Sequence, residues 1–397
     1  MSEFKNLPSG WKVVRLGDVA EKSILKNRNN LIKLVLSNSA IDGLVAQNEY
    51  FDKDIANKEN IQDYYIVDLG DFVYNPRISQ SAPTGPINRN MLSKGIVSPL
   101  YTVFTVQDEI LAKFLEYFFK TIVWQNQVKS VANYGARHDR INITDNAFFS
   151  LKILTPPLDE QKKIAEILST WDEAINLTIN LIESKKQFKK ALMQNLLTAK
   201  IRFPQFKDEL QETKLGKILK ERKAYQNKGF DLEHVSLTKD GVVPKSERYD
   251  RDFLVKDDNK QYKITRLNDI CYNPANLKFG VICKNTYGDG IFSPIYVTFE
   301  CCNELDNDFA GFYLTQNDFI QKVRKFEEGT VYERMAVSPE NFLRFKIKLP
   351  NLKEQQKIAE VLTACDDEIN LLNLKLENLK KQKQGLMQKL LSGKVRI

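Results

Sequence analysis

Asn75, Arg77, Arg89, Lys94, Tyr134, Arg137 and His138 in the first half of the chain share a setting with Asn273, Asn276, Lys278, Lys284, Tyr332 and Arg334 in the second. Each follows a strand-like run or sits in the glycine loops at Gly135 and Gly329. Their types limit the chemistry. An Asn amide pairs a donor with an acceptor, as a base edge does. Arg and Lys bring charge and donors to phosphate, and Tyr and His add a polar tip on a flat ring. This is binding chemistry suited to a polyanion, with no group placed to carry a reaction. A solvated loop is the plain alternative for any one of these residues, and the recurring pair Arg140 and Arg334 is a candidate for bracing its loop instead.

Reaction-bearing patterns are missing. No G-x-x-x-x-G-K-[ST] loop occurs, nor a strand-linked G-x-G-x-x-G. "YNPR" (74–77) and "YNPA" (272–275) come near the N-P-P-[FY] motif of amino-methyltransferases but lack its second proline and its aromatic residue. An Asn-Pro turn after a strand is the better reading. The two histidines, His138 and His234, cannot furnish a histidine zinc site of the usual kind. The five cysteines, Cys271, Cys283, Cys301, Cys302 and Cys365, contain no C-x-x-C and are odd in number, which predicts reduced thiols, mostly buried. A formal charge of +8 permits a nucleic-acid partner without requiring one. No run of about 18 apolar residues predicts a membrane span. The opening MSEFKNLPSGW has no secretion-signal pattern, so the cytoplasm is expected.

The elements that must position these side chains are written twice. "DEQKKIAEILSTWDEAIN" (159–176) returns as "KEQQKIAEVLTACDDEIN" (353–370), an offset of 353 − 159 = 194, with ten of 18 positions identical. Upstream, Gly135, Arg140, Phe148, Lys152 and Pro156 return as Gly329, Arg334, Phe342, Lys346 and Pro350. "DFVYNP" (71–76) echoes "DICYNP" (269–274), and "SPLY" (98–101) echoes "SPIY" (293–296). A period this long is too great for a solenoid and reads as tandem duplication of a domain.

Each copy closes on a helix. Pro156–Pro157 and Pro350 mark where the chain leaves the globular part, and helical signal runs to about Leu197 and Leu391. Asp159 suits a helix start. In the second copy Ile358, Leu362, Cys365, Ile369, Leu372, Leu376, Leu379, Leu386 and Leu390 keep heptad spacing, with Lys383 among them. In the first copy the matching seam is Ile164, Leu168, Trp171, Ile175, Ile182, Leu192 and Leu196, weakened by Thr178, Lys185 and Lys189. An ordinary amphipathic core helix is the alternative. Both helices are acidic first and basic last, so antiparallel pairing sets each basic end beside the other's acidic end. About 36 residues of helix span ~55 Å. The pair with a globular unit at each end predicts a dumbbell with a pseudo-two-fold axis.

The globular parts hold β-like runs at 32–37, 64–75 and 100–106, then at 261–273, 279–284 and 295–301, each set followed by a helical stretch (109–128 and 309–326). The fold class expected is α+β, with a mixed or antiparallel sheet plus helices in each copy.

With the doubled "P-x-L-x-EQ-x-KIAE-[IV]-L" at Pro156–Leu168 and Pro350–Leu362, the chain resembles the specificity (S, HsdS) subunits of Type I restriction–modification systems. The openings "LPSGWKVVRLGDV" (7–19) and "RFPQFKDELQETKLGKIL" (202–219) are similar to the family's two openings, except that Leu210 stands where Trp11 stands in the first copy. The resemblance implies target recognition domains at 1–155 and 203–349, separated by the spacer helices 156–202 and 350–397. It implies that each domain reads one half of a bipartite site in double-stranded DNA, and that the helices set the spacer. It implies partners as well: two methyltransferase (M) subunits that use S-adenosylmethionine, and motor-nuclease (R) subunits that use ATP. The chain itself is expected to catalyse nothing and to hold no cofactor. Other readings remain at this point: a subunit serving a fused nuclease–methyltransferase, a coiled-coil scaffold bridging two proteins, or a self-sufficient methyltransferase, which would itself bind S-adenosylmethionine.

Overall fold

A computed structural model of the chain describes residues 7–50, 61–134, 139–227, 232–245, 261–329 and 335–397. The chain divides into two compact units, Met1–Ile179 with Leu374–Ile397, and Asn180–Asn373. Each unit holds one globular part and a segment of each long helix.

In the first unit a four-stranded antiparallel sheet runs in the order Glu21–Ser23, Thr102–Thr105, Phe72–Tyr74, Ile87–Arg89. Successive side chains of a strand face opposite ways, so Phe72, Tyr74 and Phe104 join one core with the helices Glu109–Phe118 and Ile122–Val131. Val73 and Val103 face a smaller cluster with Leu36, Val67 and Val97. The second unit repeats the order strand for strand: Leu219–Glu221, Val297–Cys301, Ile270–Tyr272, Ile282–Lys284. The expected choice between mixed and antiparallel resolves to antiparallel ladders among the described strands. Cys271 and Cys283 are cross-strand neighbours buried on the face away from the helices. Burial pushes both thiols up, that of Cys283 to about 12.

In each unit one expected strand run and the expected helical stretch are broken. The single strand at 64–75 is instead Tyr65–Val67 and Phe72–Tyr74. Between them Gly70 takes a positive φ of 94°, and the Asp71 carboxylate accepts from Asp68 N at 2.8 Å. The second unit makes the same turn with Asn268 at φ 71° and Asp269 accepting from Arg266 N at 2.8 Å. The helix expected at 109–128 divides at Thr121, whose hydroxyl donates to Phe118 O at 2.7 Å and accepts from Trp124 N at 3.2 Å, capping the second piece. Likewise 309–326 becomes Asn307–Leu314 and Asn317–Val323, followed by a 3-10 turn.

The long helices are Leu158–Leu196 and Leu352–Leu391. Every seam residue expected from the heptads is buried or half-buried, whereas Leu177 and Leu371, off the seam, are 61% and 66% exposed. Within each unit the helix segments run antiparallel. In the first, Arg396 Nη2 meets Glu160 Oε2 at 2.9 Å and Lys383 meets Asp172. In the second, Arg202 Nη2 meets Glu354 Oε2 at 2.6 Å, Lys189 meets Asp366 at 2.5 Å, and Lys185 meets Glu368 at 2.7 Å. Among these, the bonds of Arg202 and Lys189 are the bonds of Arg396 and Lys383 made again at the offset of the repeat. Thr178, buried in the seam, donates its hydroxyl to Ala174 O at 2.7 Å and so leaves no orphaned polar group there. Among the described residues no helix is long and apolar enough to cross a membrane.

Candidate nucleic-acid interface

The sheet order decides which of the candidate side chains meet. Tyr74 pairs with Ile87 and Phe72 with Arg89. Asn75 and Arg77 therefore leave one end of the sheet, and Arg89 lies toward the other.

At the first end, Asn75 is half-buried. Its amide nitrogen donates to Asn38 O at 3.2 Å and to the Tyr101 hydroxyl at 3.3 Å, and its oxygen accepts from Arg77 N at 3.0 Å. Asn38, buried, ties in Val73 O at 2.6 Å and Pro86 O at 3.1 Å. The Asn-Pro turn is thus knitted from within, and the Asn75 amide is already occupied. Asn273 in the second unit caps a 3-10 helix by accepting from Ala275 N and Asn276 N at 3.1 and 3.3 Å. Asn276 is half-buried in that helix. Lys278 is exposed, its Nζ 5.1 Å from the ring centroid of the neighbouring exposed Phe279.

At the other end, Arg89 and Lys284 occupy the same sheet position, Arg89 opposite Phe72 and Lys284 opposite Ile270. Both are braces. Arg89 is 8% exposed in its side chain, bonded to Glu109 and to Glu116 at 3.2 Å, and donates to Gly70 O at 2.9 Å. Those carboxylates raise its pKa, and Arg89 in turn holds Glu109 below its ordinary value. Lys284 is bound by Asp308 in the first turn of the following helix. Lys94 pairs with Asp68 at 2.8 Å on the surface. The structure therefore separates Arg89 and Lys94 from Asn75 and Arg77, and Lys284 from Asn273, Asn276 and Lys278. Tyr134 ends a two-residue strand paired with Ile141–Asn142. Arg137, His138, Tyr332 and Arg334 lie outside the described residues.

One residue outside the candidate set joins Arg77. An antiparallel bridge pairs Arg77 with Arg140, and both are exposed. Only the Gly135/Gly329 register of the repeat pointed at Arg140, and it suggested a brace. Among the described residues no group of three His, Cys, Asp or Glu side chains could hold a metal ion.

The repeated E-Q at the helix starts acquires a physical reason. Glu160 is 5% exposed and receives Arg396 together with the indole N–H of Trp11 at 3.1 Å. Glu354, 1% exposed, receives Arg202 through Nε at 2.9 Å and Nη2 at 2.6 Å. Gln161 and Gln355 donate back to Pro156 O at 2.8 Å and Pro350 O at 3.0 Å. Each Glu clamps the basic end of the other copy's helix, and each Gln fixes the exit from the globular part. Where Leu210 replaces Trp11, the side chain is half-buried and Glu354 keeps the bidentate arginine without an indole donor.

The sequence profile of the Type I restriction modification DNA specificity domain matches residues 8–187 and 247–381. A putative Type I restriction enzyme MjaX specificity subunit of Methanocaldococcus jannaschii is 26% identical over 436 positions, covering 100% of this chain and 96% of its own. The HsdS subunit of Thermoanaerobacter tengcongensis has a similar fold, with a TM-score of 0.54 at 17% identity and coverage of 100% of both chains. A chain of another Type I system gives a TM-score of 0.59 at 15% identity over 98% of this chain and 100% of that one. The doubled domain, the doubled helix brace and these likenesses agree, and the chain belongs to the specificity subunits of Type I restriction–modification systems, which recognise DNA sequence and are not themselves catalytic.

Proposed function

We propose that each globular unit reads one half of a bipartite DNA site, that the paired helices set the spacer between halves, and that helices and domains together dock two methyltransferase subunits. Motor-nuclease subunits join that assembly. S-adenosylmethionine and ATP belong to the partner subunits, and the complex works on DNA in the cytoplasm.

One observation carries the reading. The two units share a four-stranded sheet order, yet differ where strands end: the Tyr74 strand runs into Asn75, Pro76 and Arg77, and the Tyr272 strand into Asn273, Pro274 and Ala275. A kept scaffold with altered edges suits two readers of different sequences. The spacer role is supported by the helices, which are unbroken over 39 and 40 residues, or ~60 Å. The first gives Glu160 and Asp172 to one unit and Lys185 and Lys189 to the other.

The test is an exchange of residues 1–150 for the same region of another specificity subunit, followed by sequencing of methylated DNA from cells carrying the chimera and its methyltransferase. One half of the modified motif should change and the other stay. If both halves change together, independent reading by the two units is wrong.

A further inference from the structure

In the first unit two segments distant in sequence are zipped side by side. Ile78 N donates to Asp139 O at 3.0 Å, and Ile141 N donates to Pro76 O at 2.9 Å. These bonds flank the bridge between Arg77 and Arg140, which makes the two arginines a non-hydrogen-bonded antiparallel pair. In that geometry the Cα atoms are ~4.5 Å apart and the side chains are at their closest. Like charges placed so are unfavourable.

At the opposite end of each four-stranded sheet the strand cation is neutralised. Arg89 has two carboxylates and Lys284 has one. Arg77 and Arg140 have none among the described residues, although both are exposed. Both also act on one neighbouring group. Burial raises the pKa of Tyr101, while a hydrogen bond with the Asn38 backbone and the charges of Arg77 and Arg140 oppose that rise. The patch is therefore positive, doubly charged and mounted on paired backbone.

We propose that Arg77 and Arg140 form a two-armed clamp on the phosphodiester backbone of duplex DNA, seating the first unit on its half-site. The inference rests on the DNA-recognition reading above and deepens it. Two adjacent guanidiniums suit phosphate oxygens, which they can meet with paired donors. Base reading falls to other groups, since the nearby Asn75 amide is spent on Asn38 and Tyr101. Phosphate contacts fix register and orientation without carrying sequence information. The second unit has Ala275 at the place of Arg77, so it lacks this pair and the two half-sites are held unequally.

The experiment uses the full chain assembled with its methyltransferase subunits and a random-sequence duplex, with binding followed by fluorescence anisotropy over a range of salt. Each phosphate contact adds ~0.9 to the slope of log affinity against log salt. Arg77→Ala/Arg140→Ala should lower the slope by ~1.8, so a fourfold rise in salt should cost the variant about 12-fold less affinity than it costs the parent. Arg77→Ala alone should lower it by ~0.9 and serves if the double variant does not fold. Arg77→Lys/Arg140→Lys keeps both charges and should keep the parent slope. Folded alanine variants with the parent slope would overturn the clamp and leave the DNA reading standing. A lysine variant with the slope of the alanine pair would mark a structural effect and overturn it as well. If the parent assembly binds no duplex, the DNA-recognition reading fails and the clamp fails with it.

Discussion

Replacing Lys383 with methionine should destabilise the unit that contains the start of the chain. Lys383 meets Asp172 on the other helix and lies 5.1 Å from the ring centroid of Tyr117. Its side chain is 15% exposed and that of Asp172 is 42% exposed. Methionine keeps most of the stem, so packing is largely retained and the loss is electrostatic. A charge-assisted hydrogen bond contributes ~1.5–3 kcal/mol and an exposed-to-partly-buried cation–π contact ~0.5–1. Water reaches Asp172, and the Tyr117 hydroxyl still donates to it at 2.9 Å, so part of that is recovered. The expected cost is about 1–2 kcal/mol. Spread over the unit's 179 + 24 = 203 residues, it lowers Tm by about 2–8 °C. The three tryptophans, Trp11, Trp124 and Trp171, all lie in this unit, so a fluorescence melt reports on it alone. Lys189→Met breaks the counterpart bond to Asp366 in the second unit. It should leave the tryptophan transition in place while circular dichroism shows earlier melting. A Lys383→Met protein with the parent tryptophan melt, or a Lys189→Met protein that moves it instead, would refute the reciprocal clamp.

Four residues inserted after Ile182 add ~6 Å of helix, against ~3.4 Å per base pair. The methylated motif should then keep both halves and gain one or two base pairs of spacer, and a variant of unchanged helix content with the original spacer would remove the ruler role. Slippage of the seam is opposed by Lys189 and Lys383, each tied to one aspartate. Arg89→Ala strands Glu109 and the half-buried Glu116 and should cost ~1–3 kcal/mol in the tryptophan melt, with the salt slope of DNA binding unchanged. A lowered slope with unaltered stability would return Arg89 to the DNA face.

The helices were legible because their contacts are periodic. A seam residue meets its partner every three or four positions, and the order of charges decides orientation, so antiparallel pairing is implied by residue types and spacing, while the packed helices decide that Lys189 meets Asp366. The doubled domain was legible for a similar reason: duplication leaves its trace in the chain itself. Strand breaks were less so. They turn on single backbone angles at Gly70 and Asn268 and on one hydroxyl at Thr121, which interrupt runs of otherwise suitable residues.

The side chains of the interface depended on the tertiary structure. Asn75 had the right type for a base reader, but segments 37 and 26 residues away consume its amide. Arg89 had the right charge, but the helix that begins 20 residues on supplies the two carboxylates that neutralise it. Arg140 drew notice only as a loop brace until a bridge set it beside Arg77. Residue type states what a group is able to bond. Which distant carboxylate, carbonyl or like charge it meets is settled when the sheet and helices pack, and that meeting decides whether the group is spent inside the fold or left to face DNA.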